Sequence, residues 1–238
     1  MPARSRYRPG GRRSAPASRR GQPPCNLKPD KLAGLFEGIA STMARTLPRL
    51  LAGILAFVCL GRGSAAQDLP HVVIQTPLGS MEVEVDTVRA PVTGHNFLRY
   101  VDQGSYRGGR FHRTVRLDNQ PEDRVKIEVI QGGLDSLRAR DFPPIRLERT
   151  TETGLSHRDG TISMARDGPD TATSDFFVCI GDQPDLDFGG KRNPDGQGFA
   201  AFGRVVRGMD VVRQIQTARA QGQRLTPPIE IVDITRSR

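Results

Sequence analysis

The side chains of this 238-residue chain that could hold a metal ion or attack a substrate are few, and none is spaced to do so. His71, His95, His112 and His157 are scattered without metal-ligand spacing and read as surface, helix or strand positions. Asp185, Asp187 and Asp195 miss the spacing of a calcium loop. Gly190-Lys191-Arg192 lacks the glycine spacing and the Ser or Thr of a phosphate loop, and no Gly-x-Ser-x-Gly elbow occurs. What remains is hydrogen-bond donation from a fixed positive charge. Arginine suits that task because its guanidinium stays charged and presents a rigid fork of N–H groups. One arginine among 35 basic residues carries no information by itself. Arg113 is singled out by its setting. Phe111-His112-Arg113 is followed by Gln131-Gly132-Gly133, then by Gly160-Thr161-Ile162-Ser163-Met164-Ala165-Arg166, by Ser174-Asp175-Phe176-Phe177-Val178, and late in the chain by Phe202-Gly203-Arg204-Val205.

These five blocks, in this order, resemble the cyclophilin-type peptidyl-prolyl cis-trans isomerases, and the resemblance runs from roughly Val72 to Thr235. It implies rotation about X-Pro peptide bonds, a reaction that needs no cofactor, metal or nucleophile. Amide resonance protects that bond with a barrier of about 18–20 kcal/mol. A protein lowers it by gripping proline in an apolar pocket, holding the flanking chain extended, and offering a donor to the prolyl nitrogen or adjacent carbonyl of the twisted amide. On the resemblance, Arg113 takes the catalytic position and Gln131 hydrogen-bonds substrate backbone. Phe177 floors the proline pocket, Leu186 forms its aliphatic wall and Ala165 lines the groove. Phe111, Arg166 and Phe199 complete the expected substrate surface, and proline-containing polypeptides are the expected partners.

The chain also departs from the family pattern. Glu128-Val129 stands where many members have Phe-Met, which is expected to remove an aromatic wall and add a charge. Arg166 and Asp175 replace an asparagine and a glutamine and could pair across the groove. Asp185 stands where some members carry tryptophan, and Phe199 where histidine is common. Intact central machinery with a remodelled rim implies altered or weakened turnover. The competing reading is a binding module of the same fold, in which Glu128, Arg166 and Asp175 serve recognition of extended segments.

The elements that must position these residues are legible in part. His71–Thr76 and Met81–Val85 flank Pro77-Leu78-Gly79-Ser80 and read as a hairpin. Pro91 suits the first turn of a helix through about Asp102, with Phe97, Leu98 and Val101 on one face. A second helix is expected over Met209–Ala218, on the spacing of Val211, Val212 and Ile215. Short strands are expected at about Arg110–Val115, Lys126–Gln131, Gly160–Ala165, Phe176–Ile180, Ala200–Val205 and Ile229–Ile234. Many strands with two helices argue for an all-β barrel or sandwich, which the resemblance sharpens to a closed eight-stranded antiparallel barrel capped by two α-helices. Arg116–Val125 and Asp187–Gly198 are turn-rich insertions against the family pattern, expected at the surface beside the groove.

The charge of +9 belongs to the N-terminal part of the chain. Residues 1–66 hold 12 Lys and Arg against Asp30 and Glu37, leaving 23 of the 35 basic and 24 of the 26 acidic residues to 67–238, a net of −1. Nucleic acid is therefore not an expected partner. Residues 43–66 read as a signal peptide: a basic start, an apolar run Leu50–Leu60, and small residues at Ser64 and Ala66 that place the mature N-terminus at Gln67. That run is too short to span a bilayer, which takes about 20 residues. Export to the periplasm or medium follows, with no stable membrane insertion after cleavage; a retained anchor is the alternative. Residues 1–42, rich in Arg, Pro, Gly and Ser, read as a disordered basic extension ahead of a true start at Met43. A basic cytoplasmic arm before an uncleaved anchor is the alternative there. The mature domain, expected to be a monomer, keeps Cys179 alone, so no internal disulfide supports it; between Val178 and Ile180 this thiol reads as core.

Overall fold

Alternation of apolar and polar residues builds the first hairpin, β1 (His71–Thr76) and β2 (Gly79–Val85), in which Val72, Ile74, Met81, Val83 and Val85 turn inward. A computed structural model describes residues 68–135 and 142–237; the basic extension and signal peptide expected over 1–66 lie outside them. After β2 the chain forms α1 (Pro91–Asp102), β3 (Gly109–Val115), β4 (Val129–Gly133), the single turn α2 (Thr150–Thr153), β5 (Thr161–Met164) and β6 (Phe176–Cys179). A 3-10 turn at Pro184–Leu186 leads to β7 (Ala200–Arg207), α3 (Met209–Thr217), β8 (Ala220–Gln221), β9 (Arg224–Ile231) and β10 (Asp233–Arg236).

The strands form one antiparallel sheet in the order β10-β1-β2-β7-β5-β6-β4-β3-β9-β8. The fold is mainly β, as expected, but two features of the expected barrel are corrected. The described residues hold ten strands rather than eight, and no ladder joins β10 to β8. The reason is local. The run expected as one strand over Ile229–Ile234 breaks at Val232, so that β9 pairs with β3 and β10 pairs with β1, and the start of β9, which extends back to Arg224, pairs with the short β8 that supplies the tenth strand. Val232, between β9 and β10, donates its N–H to the Gln75 carbonyl of β1 at 2.8 Å.

The core is aromatic. Phe97 of α1 meets Tyr106, Phe176 and Phe202 with ring centroids 5.4, 5.6 and 5.1 Å apart, and Phe111 meets Phe176 edge-on at 5.9 Å. The helices dock by the faces read from sequence: Phe97, Leu98 and Val101 of α1, and Val211, Val212 and Ile215 of α3, are buried. Ala90 cannot cap α1 with a side chain, and a distant residue does so. The buried Glu148 accepts from the backbone N–H groups of Val92 (3.0 Å) and Thr93 (2.8 Å) and from the Thr93 hydroxyl (2.7 Å). A second apolar cluster of Val115, Ile127, Val129, Phe177, Cys179 and Leu186 is separate from the main core.

Candidate active site

Two neighbouring rows of the sheet separate core from groove. In one, Phe111 pairs with Gly132, Gly132 with Phe176, and Phe176 with Met164. The large side chains of this row are buried in the main core. In the next, Arg113 pairs with Gln131, Gln131 with Phe177, and Phe177 with Ser163. Arg113, Gln131 and Phe177 line a groove of about 510 Å³. A register shift between Phe111 and Arg113 makes this possible. Residues two apart on a regular strand share a face; an extra residue at His112 sends Phe111 inward and Arg113 outward. Phe111 is fully buried, so its expected place on the substrate surface is corrected to the core. The paired glycines have their own reason: a Cβ at Gly132 would stand 2.9 Å from the Phe111 ring, and one at Gly133 would collide with the Asp175 carboxylate.

Arg113 is held by amides. Its Nε and Nη2 donate to Gln223 Oε1 at 2.9 and 2.6 Å, and its Nη1 donates to Gln131 Oε1 at 3.0 Å. Gln131 in turn donates from Nε2 to Asp175 Oδ2 at 3.2 Å. Among the described residues no carboxylate forms an ion pair with Arg113. Burial draws its guanidinium below the ordinary value, the like charge of Arg192 adds to this, and Asp123 opposes it. An arginine so placed remains a cation whose charge no contact partner neutralises.

Phe177, 5% exposed, lines the same groove as Arg113, with Gln131 paired between them. Phe199 meets it edge-on at 5.3 Å, and the buried His157 stacks on it at 5.9 Å and 15°. His157 Nδ1 lies 2.7 Å from Asp187 Oδ1, and its Nε2 lies 3.0 Å from Ser163 Oγ. These are the partners of a hydrolytic triad, but Ser163 is wholly buried and cannot reach a substrate. The trio props the aromatic ring. Leu186, Ile127 and Val129 supply aliphatic walls and Ala165 lies at the edge of the same groove. Cys179, the one cysteine among the described residues, sits in the cluster behind, where burial pushes its thiol well up.

Arg166 borders the groove without facing it as a free donor. Its side chain is 1% exposed. Its terminal nitrogens form a bidentate pair with Asp195 at 2.8 and 3.0 Å, its Nε donates to the Gly198 carbonyl at 2.8 Å, and its Cζ lies 5.0 Å over the Phe199 ring. It therefore rivets the Asp187–Gly198 segment and Phe199 to the rim. The pairing of Arg166 with Asp175 does not form: Asp175 meets Gln131 and, at 3.6 Å, His112. The Asp195 carboxyl is held below its usual range by the Arg166 bond first and the Gln197 N–H second.

Glu128 is the other correction at the rim. It accepts from Gln216 of α3 at 3.0 Å, and it is Ile127 and Val129 that turn to the groove. The strand expected from Lys126 begins at Val129 because Gln120 occupies the backbone before it, donating to the Ile127 carbonyl (2.7 Å) and accepting from its N–H (3.2 Å). The Asp187–Gly198 insertion borders the groove through Arg192 and Asn193, whereas the Arg116–Val125 insertion lies behind it and reaches the rim through contacts with Arg192, whose Nη1 bonds Asp123 (3.1 Å), the Val125 carbonyl (2.7 Å) and Gln120 (3.2 Å). Gln223, Arg192 and His157 escape sequence reasoning because their partners lie far away along the chain, and no local spacing marks them.

A ten-stranded antiparallel β fold with a groove that sets Arg113 and Gln131 among the apolar side chains of Ile127, Val129, Phe177 and Leu186 is now defined, and comparison with known proteins places it. A family model described as cyclophilin type peptidyl-prolyl cis-trans isomerase/CLD matches residues 71–236. The chain belongs to this family and is a peptidyl-prolyl cis-trans isomerase. It is 32% identical over 197 residues to peptidyl-prolyl cis-trans isomerase A of Dickeya dadantii, covering 80% of this chain and 95% of that one. To the cyp18 isomerase of Streptomyces antibioticus it is 33% identical over 168 residues, covering 68% and 93%. A crystal structure of a cyclophilin-type isomerase of Cryptosporidium parvum, determined in the presence of the dipeptide Ala-Pro, shares the fold with a TM-score of 0.57 at 22% identity, covering 71% of this chain and 99% of that one.

Proposed function

We propose that the domain isomerises X-Pro bonds in polypeptides exported with it, binding the prolyl ring against Phe177, Leu186, Ile127 and Val129 while Arg113 donates to the twisted amide. The observation that carries this reading is the Arg113 guanidinium, fixed by two amide side chains, free of a contact carboxylate and lining the same groove as the Phe177 ring. A donor held in place before the reaction need not reorganise as charge shifts in the transition state. Gln131, which grips Arg113 through Oε1, also borders the groove where substrate backbone would run. The Ala-Pro dipeptide of the Cryptosporidium neighbour supports proline-containing chains as the ligand class. Export rests on the composition of residues 43–66, and a polypeptide that folds after export meets proline steps of tens of seconds.

A proline-isomerisation assay without a coupling protease, run on residues 67–238, tests the activity. Arg113→Ala is expected to lower kcat/KM by about 10²-fold, the loss of about 3 kcal/mol of transition-state stabilisation. Wild-type turnover equal to that of Arg113→Ala, with proline peptides still bound, would leave a binding module instead. The mass of the protein recovered from an exporting host tests the compartment: an N-terminus at or near Gln67 is expected, and an intact Met1 or Met43 overturns it.

A further inference from the structure

The Arg116–Val125 insertion begins one residue after the strand that carries Arg113, and its side chains reach back to that arginine through a hairpin on the far side of the sequence. Asn119 is the knot. Its Nδ2 donates to the carbonyls of Thr114 and Gly222, both at 3.0 Å, and its Oδ1 accepts from the Arg116 N–H at 2.8 Å. Its own carbonyl accepts from Gln223 Nε2 at 3.3 Å. Gly222 and Gln223 are the two-residue loop between β8 and β9, and Gly222 takes the left-handed conformation, φ +57°, that such a loop needs. The loop is thus tied to the insertion at Gly222 and at Gln223, and to β3 through the Thr114 N–H, which donates to the Gln223 carbonyl at 2.9 Å.

We propose that Gln223 is a positioning residue for Arg113, and that the Arg116–Val125 insertion exists on this chain to hold Gln223 in place. The inference rests on the catalytic reading of Arg113 above. Arginine has a long stem with several rotatable bonds and loses rotamer entropy when fixed. Gln223 Oε1 takes the Nε–Nη2 edge of the guanidinium and Gln131 takes Nη1, so three of its five N–H donors are spent on orientation. One N–H on each terminal nitrogen is left for a ligand. The Gln223 amide cannot turn over without penalty: its Nε2 faces the Asn119 carbonyl, and a flip would point an NH₂ at a guanidinium. Because both holding groups are neutral, they set the plane of the cation without cancelling its charge, which a carboxylate in the same place would do. Gln223 comes from the loop between β8 and β9, 110 residues beyond Arg113, and nothing in the five sequence blocks points to it.

The test is a mutant cycle on residues 67–238 with Arg113→Ala, Gln223→Met and the double variant, reading kcat/KM, Kd for an Ala-Pro-containing peptide, and thermal melting. Methionine keeps the length of the side chain and removes the acceptor. Gln223→Met is expected to lower kcat/KM about tenfold or more, the scale of losing hydrogen bonds to a charged group. Peptide Kd is expected to change by less than about twofold, since the apolar pocket is untouched. In the Arg113→Ala background the same substitution is expected to do nothing further. Gln223→Ala repeats the measurement if methionine lowers the melting temperature. Gln223→Met and Gln223→Ala with wild-type turnover, alongside an impaired Arg113→Ala, overturn the positioning role and leave the catalytic reading intact. An equal loss in both backgrounds also overturns it, because Gln223 would then act otherwise than through Arg113. An Arg113→Ala variant as active as wild type overturns the catalytic reading and this proposal with it.

Discussion

Phe177→Ala puts the site and the packing to one test, because the same ring belongs to both. Phe177 is 5% exposed, is stacked on His157 and meets Phe199 edge-on. It also belongs to the cluster of Val115, Ile127, Val129, Cys179 and Leu186. Truncating a buried phenylalanine costs about 3–5 kcal/mol, and the lower end applies here because water can enter the vacated space from the groove. For a domain of this size about 3 kcal/mol corresponds to a fall in melting temperature of about 6–12 °C. The pocket loses separately. The three ring methylenes of a prolyl residue are each stabilised by about 0.8 kcal/mol on burial, and removing one face of the pocket forfeits about 1 kcal/mol, or about fivefold in peptide affinity. Denaturant unfolding gives the first quantity and titration with an Ala-Pro peptide, at a temperature where the variant is folded, gives the second. Destabilisation below about 1 kcal/mol would refute the ring's membership of a packed cluster. Unchanged peptide affinity in a folded variant would refute its role as the pocket floor.

Glu148→Ala removes the acceptor for two backbone N–H groups and one hydroxyl at the start of α1 and is expected to cost about 2–4 kcal/mol in a denaturant melt, with turnover per folded molecule unchanged. The Asp195 carboxyl, depressed in the folded state by Arg166, contributes stability that is complete above its unfolded value of about 4 and is lost as pH falls through the lower folded value. The stability gap between wild type and Asp195→Asn should accordingly be present at pH 6 and shrink in acid below about pH 4; a gap that widens there contradicts the pairing. Glu128→Phe, which would restore an aromatic wall if that residue faced the groove, is expected to leave peptide affinity no better, because Glu128 faces Gln216, whereas Ile127→Ala is expected to weaken it. Titration of an Ala-Pro peptide into both variants checks the orientation.

Much of this architecture was legible because it is local. Pro91 and the spacing of Phe97, Leu98 and Val101 define α1 to its last residue, and Val211, Val212 and Ile215 define α3 to within one. The alternation of His71–Thr76 and Met81–Val85 defines the first hairpin. Phe111, Arg166 and Glu128 went astray for reasons that alternation cannot reveal. A one-residue bulge reverses the side on which Phe111 falls relative to Arg113. The side chain of Gln120 replaces the ladder before Val129 and sets which of residues 127–129 face the groove. A carboxylate 29 residues away turns Arg166 from a surface donor into a buried clamp.

The amino-acid sequence by itself determined the two helices, from the spacing of their apolar residues, and it carried the reaction class through the resemblance of five contiguous blocks to a known family, which also marked Arg113 and Phe177 as the candidate donor and pocket floor. The tertiary structure alone decided how Arg113 is aimed, what props Phe177 from behind, and how the two insertions meet through Arg192 and Asp123. Those are distances between side chains more than 15 residues apart in sequence, and a separation along the chain says nothing of separation in space until the sheet has brought β3, β4, β6 and the loop before β9 into register.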